Sequence, residues 1–113
     1  MGLLSSQIMT LSLTNRRHDL ENNINEISFG MMRLEAMTSE LVSIGSDLSP
    51  DSIEFKKLEE RRKKLELVNK QMDQQLKQYQ TQLASVEASE KDNSQRLAKN
   101  IQSSFTNHLN AGQ

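Results

Sequence analysis

Ile44-Gly45-Ser46-Asp47-Leu48-Ser49-Pro50-Asp51-Ser52 gathers the residues that end one helix and start another, including the only proline of the chain. Ser49 reads as an N-cap, because its hydroxyl can accept a free amide of the first turn. Pro50 then falls at the first helical position, where a missing N–H costs nothing. Asp51 stands where the helix dipole favours negative charge. Leu48 and Ile53 occupy the two positions of a hydrophobic staple. The reading predicts one helix over about 4–45, a turn at 46–49 and a second helix over about 50–108. The helical pattern is expected to end by Gly112.

Working outward, the apolar periodicity is helical on both sides. Before the turn, Leu20, Ile27, Leu34, Leu41 and Leu48 recur every seven residues. Ile24 and Met31 fill the alternate seam position, and Thr38 and Gly45 take its later repeats, an a/d heptad pattern. After the turn, Leu65, Val68 and Met72 start a second seam. From Met72 it passes Leu76, Tyr79, Leu83, Val86, Glu90, Asn93 and Leu97 in alternating steps of four and three. Two consecutive steps of four are expected at Val68–Met72–Leu76 and at Leu97–Ile101–Phe105, and such insertions locally unwind a supercoil. Gly30 falls inside the first helix, either as a close-contact position or as a weak point of about 1 kcal/mol against Ala. No alternating run suggests a strand. The fold class is all-α, a single long antiparallel helical hairpin over 1–113, coiled-coil-like and self-associating.

Composition limits what such a hairpin can be. Of 113 residues only 35% are hydrophobic and 4% aromatic, too few for a thick globular core. A net charge of −1 argues against a dedicated nucleic-acid binder. No cysteine is present, which removes disulfides, thiolate metal sites and thiol nucleophiles. Residues 1–51 carry 3 basic and 7 acidic side chains, against 11 and 8 over 52–113. The basic excess at Lys56, Lys57, Arg61, Arg62, Lys63 and Lys64 is expected to face Glu35, Glu40 and Asp47 across the hairpin. Residues 1–15 are uncharged but interrupted by Ser and Thr, and too short to span a bilayer. They read as a protein-docking start rather than a secretory signal. Met1-Gly2 with Ser6 matches the myristoylation pattern, a short and common match. Membrane contact is not expected.

No catalytic constellation is legible, and the chain reads as no enzyme. His18 and His108 are lone, with no second ligand at metal-binding spacing. There is no phosphate-binding glycine loop, zinc-protease helix or calcium loop. Glu59 and Glu60 interleave the basic run, and no stacking aromatic accompanies it, so it reads as a solvated helix face. The cluster Met31, Met32 and Met37 reads as adaptable packing. No cofactor and no metal is expected.

What remains is assembly. The second arm overshoots the first by about a dozen residues, given 1.5 Å of rise per residue. That overhang carries Leu97, Ile101 and Phe105, and a lone helix cannot bury its own stripe. The seam and assembly residues are therefore Leu20, Ile24, Ile27, Met31, Leu34, Leu41, Leu76, Tyr79, Leu83, Val86, Leu97, Ile101 and Phe105. The turn is Ser49, Pro50 and Asp51. With Ser49-Pro50-Asp51 at the turn and Leu97-Ala98-Lys99-Asn100-Ile101-Gln102-Ser103-Ser104-Phe105 in the tail, the chain resembles subunits of bacterial type III secretion needles and related export filaments. The resemblance implies a structural filament subunit, partnered by its own copies and by secretion-apparatus proteins, in an extracellular or cell-surface appendage. The alternative is a cytoplasmic coiled-coil adaptor or export chaperone that forms a closed oligomer.

Overall fold

The structure, a computed structural model, describes residues 2–111. Met1 and the expected stop at Gly112 lie outside the described residues. The fold is all-α, a helical hairpin of two long helices, α1 (Leu3–Gly45, 43 residues) and α2 (Ile53–Ala111, 59 residues), with no strand among the described residues.

The turn differs from the sequence expectation in its cap. α2 begins at Ile53, and Ser52 rather than Ser49 is its N-cap: the Phe55 amide donates to Ser52 Oγ at 3.1 Å. The Ser52 hydroxyl itself donates to the Ser49 carbonyl at 2.7 Å, and the Ser52 amide donates to the same carbonyl at 3.0 Å. Pro50 and Asp51 are thus the central residues of a four-residue turn before the helix. Proline's fixed φ suits the second position of such a turn as well as a helix start. Ser52 prevails because one hydroxyl closes the turn and caps the helix together. The staple does not form, since Ile53 is exposed. α1 ends without a left-handed residue: among the described residues no residue has positive φ, and the Asp47 and Leu48 amides donate to the Ile44 and Gly45 carbonyls in tightened turns.

Contacts group the chain into two units, Met1–Asn22 with Gln80–Gln113, and Asn23–Tyr79. Each pairs a segment of α1 with a segment of α2. In the Asn23–Tyr79 unit, Gly45 packs against Phe55 and Leu58, and Gly30 against Met72. In the other, Ser6 meets Asn100, Thr10 meets Asn93 and Arg17 meets Glu90. In each case numbers rise along one helix as they fall along the other, so each unit is an antiparallel pair.

The Asn23–Tyr79 unit has the apolar seam. Ile24, Ile27, Met31, Leu34, Thr38 and Leu41 are half-buried on α1, with Gly45 buried. Across from them, Phe55, Leu58, Arg62, Leu65, Met72, Leu76 and Tyr79 are half-buried on α2. Val68, expected in this seam, is exposed. The position that keeps the heptad between Leu65 and Met72 is Asn69, on the wall of a groove with Met31, Leu34 and Thr38. The expected step through Val68 is therefore absent, because Val68 and Asn69 are both exposed and the half-buried positions of α2 pass from Leu65 directly to Met72. Gly30 is a close-contact position: a Cβ there would lie 2.5 Å from Met72 Cε.

The basic run is a surface of α2. Arg62 pairs along its own helix, with Glu59 at 2.9 Å and with Glu66 at 2.6 Å, rather than across to α1. Side chains three and four apart on a helix are neighbours, so these partners are nearest. The Arg62 hydrogen bond holds the Glu59 carboxyl below its ordinary pKa.

Candidate assembly surface

The Met1–Asn22 and Gln80–Gln113 unit pairs the helices through a mixed seam. Its apolar members are Leu20 and Val86, each 5% exposed, with Leu3, Leu13, Leu83 and Leu97 half-buried. Between them lie polar layers. Ser6 is fully buried and Asn93 is 5% exposed. The Asn93 amide donates to the Ser6 carbonyl at 3.1 Å and to Thr10 Oγ1 at 2.7 Å. Thr10 Oγ1 donates to the same Ser6 carbonyl at 2.9 Å, and Asn100 donates to Ser6 Oγ at 3.0 Å. Asn93 Oδ1 is buried without a hydrogen-bond partner. One helical turn further along, Arg17 Nε stands 2.9 Å from Glu90, while its Nη1 reaches Glu21 at 3.2 Å. The Arg17 guanidinium is held more firmly protonated, first by its hydrogen bond to Glu90 and then by that to Glu21.

The heptad phase of α1 explains why these groups meet. Leu3, Ser6, Thr10, Leu13, Arg17 and Leu20 continue upstream the spacing that Ile24 and Ile27 hold downstream. The sequence reading began this seam at Leu20 and missed Ser6, Thr10 and Arg17, because polar residues do not announce a seam by hydropathy. Their spacing of three and four, extrapolated backwards, was the available signal. Asn93 and Glu90 were counted at seam positions, but nothing in the sequence alone named their partners.

Past Asn100 the seam ends. It steps from Leu97 to Asn100 rather than to Ile101, so the second expected insertion is also absent. Every residue from 101 to 110 is exposed, Phe105 at 63%. The structure thus places Leu20, Ile24, Ile27, Met31, Leu34, Leu41, Leu76, Tyr79, Leu83, Val86 and Leu97 between helices, and Ile101 and Phe105 in the open. α1 has open apolar residues as well: Leu4, Ile8 and Leu11 in one unit, Phe29, Met32, Met37 and Val42 in the other.

Grooves run along the helix pairs, such as that lined by Thr10, Leu13, Glu90, Asn93 and Leu97. His18 stands 3.8 Å from Glu21 on its own helix. Among the described residues no group of three or more His, Cys, Asp or Glu side chains could hold a metal ion, and no helix is long and apolar enough to cross a membrane. Comparison with protein-family models, curated proteins and solved structures finds no match for this chain.

Proposed function

We propose that this protein is a structural, non-enzymatic subunit that assembles with copies of itself into a helical filament, extracellular or linked to secretion. The observation that carries the reading is the amount of apolar surface the folded chain leaves open. Among the described residues Leu20 and Val86 are the buried hydrophobic ones, whereas Leu4, Ile8, Leu11, Phe29, Met32, Ile101 and Phe105 are all exposed. Large exposed apolar stripes mark interaction sites. A helix pair cannot cover them by itself, and further helices can. The filament form and the link to secretion draw on the resemblance of the turn and tail to needle subunits. A chain without disulfides, built from helices that re-form locally, also suits passage through a narrow channel.

Light scattering against concentration, with negative-stain microscopy of the same samples, tests the reading. Growth into filaments of uniform width is the expected result. A particle of one fixed size at every concentration would overturn the filament and favour the closed adaptor or chaperone. A monomer at every concentration would remove both.

A further inference from the structure

The open extension of α2 and the start of α1 share three properties. Each carries an exposed apolar stripe at helical spacing: Leu4, Ile8 and Leu11 on α1, and Ile101, Phe105 and Leu109 on α2. Each lies in a long uncharged stretch, 1–15 and 100–113, the two longest in the chain without Lys, Arg, Asp or Glu. And both lie at one end of the same unit, since Ser6 of α1 is bonded to Asn100, the last seam residue of α2. Within one chain the two stripes cannot meet, because the extension runs on past the point where α1 begins.

We propose that the α2 extension of one copy docks on the Leu4–Ile8–Leu11 face of a second copy, and that the exchange is reciprocal. The occupant is a second copy because the match is internal to the chain. When two copies meet end to end about a twofold axis, the extension of each runs parallel to α1 of the other. Ile101, Phe105 and Leu109 then fall beside Leu4, Ile8 and Leu11, with steps of four and four against four and three. The interface lies beside the helix-pair seam already present, since Leu4, Ile8 and Leu11 adjoin the Leu3, Ser6 and Thr10 positions of α1 and Ile101 adjoins Asn100 on α2. No ion is desolvated on either side, which removes the largest cost of burying a surface. Six large apolar side chains per copy, each with on the order of 100 Å² to cover, give about 1,200 Å² over the pair, the lower edge of a stable interface. An isologous contact of this kind closes on itself. Growth into a filament would use other faces, such as that of Phe29 and Met32. The proposal therefore rests on the self-association part of the functional reading and not on filament growth.

The absence of cysteine makes a direct test available. Full-length chains carrying Ile8→Cys and Phe105→Cys are prepared separately, mixed, oxidised mildly and mapped by mass spectrometry. In parallel, dimerisation of Phe105→Glu is measured by analytical ultracentrifugation, with helicity by circular dichroism as the folding control. The expected results are a disulfide between position 8 of one copy and 105 of the other, and at least a roughly hundredfold weaker dimer for Phe105→Glu, since each dimer holds two such contacts. Phe105 is exposed in the single chain, so helicity should be unchanged. Self-association that survives Phe105→Glu, without the 8–105 crosslink, would overturn the docking and leave the functional reading standing. A wild-type chain that stays monomeric at every concentration would remove both.

Discussion

Replacing Asn93 with Leu should make the single chain more stable. Asn93 is 5% exposed and donates two hydrogen bonds, to the Ser6 carbonyl and to Thr10 Oγ1. Their net contribution is about 1 kcal/mol each, so their loss costs about 2 kcal/mol. The substitution leaves no orphan donor, because Thr10 Oγ1 still donates to the Ser6 carbonyl at 2.9 Å. It also removes Asn93 Oδ1, an acceptor buried without a partner, which relieves about 1–3 kcal/mol of desolvation. Burying a leucine side chain adds about 1.5–3 kcal/mol. The balance favours Leu by about 0.5–4 kcal/mol. Asn93→Ala, which keeps the relief and forgoes the burial, should lie near the wild type or slightly below it. The assay is urea denaturation followed by circular dichroism at several low protein concentrations, so that self-association can be extrapolated out. A rise in midpoint for Leu at unchanged slope is the expected result. A loss of 1 kcal/mol or more for Asn93→Leu would refute the reasoning, and would mean that the Ser6–Thr10–Asn93 network holds this unit together rather than setting its register.

Four further outcomes follow from the same contacts. Leu20→Ala should cost about 2–3 kcal/mol, the low end for a core leucine because a two-helix seam can partly collapse, as read by the same denaturation. Ser52→Ala should cost about 1 kcal/mol through loss of the cap, whereas Ser49→Ala, which keeps the carbonyl that Ser52 bonds, should stay within about 0.5 kcal/mol. Gly30→Ala should show little of the roughly 1 kcal/mol its helix propensity promises, because the new methyl must displace Met72 Cε; in a Met72→Ala background the full gain should appear, which a double-mutant cycle reads. The Glu59 pKa is lowered by Arg62, so its pairing adds stability above the ordinary carboxylate range, lost as pH falls through the lowered value; Glu59→Gln should flatten the acid limb of the urea midpoint against pH.

The long elements were legible because two independent signals agreed. Leu20, Ile27, Leu34 and Leu41 fixed the helical period of α1, and the only proline fixed where it had to stop. The register of the seam at its polar positions was not legible. Hydropathy sees Ile101 as a better seam residue than Asn100, yet an unbroken heptad places the asparagine inward. Backbone geometry decided there: turning the helix to bury Ile101 would carry Asn93, Leu97 and the seam residues before them out of the interface. The cap was missed for a different reason. Ser49 and Ser52 both satisfy the local rule, and only the three-dimensional turn shows that Ser52 can serve two bonds at once. For the candidate surface, the apolar residues 101–109 were visible as an overhang, but the matching face at Leu4, Ile8 and Leu11 was not. An uncharged start with interspersed Ser and Thr reads equally as either face of a helix until Ser6 is seen buried.

The placement of polarity then becomes an argument about design rather than an accident of composition. A polar residue at a seam position lowers stability but fixes register and partner number. Here the polar layers sit where α1 begins, directly beside the uncharged stripes left open. An apolar seam at Ser6, Thr10 and Asn93 would accept any neighbouring stripe of the same spacing, including Leu4–Ile8–Leu11 or Ile101–Phe105–Leu109 from another chain. With Asn93 bonded across to Ser6 and Thr10, a slip of one heptad would strand a buried amide, at a cost of about 1–3 kcal/mol. The network therefore keeps the chain's own two helices paired in one register and leaves the apolar stripes as the part of this end free to meet another copy. Asn93→Leu tests this too. If the network sets register, the more stable variant should also be the one whose 8–105 crosslink is diluted by crosslinks at other spacings.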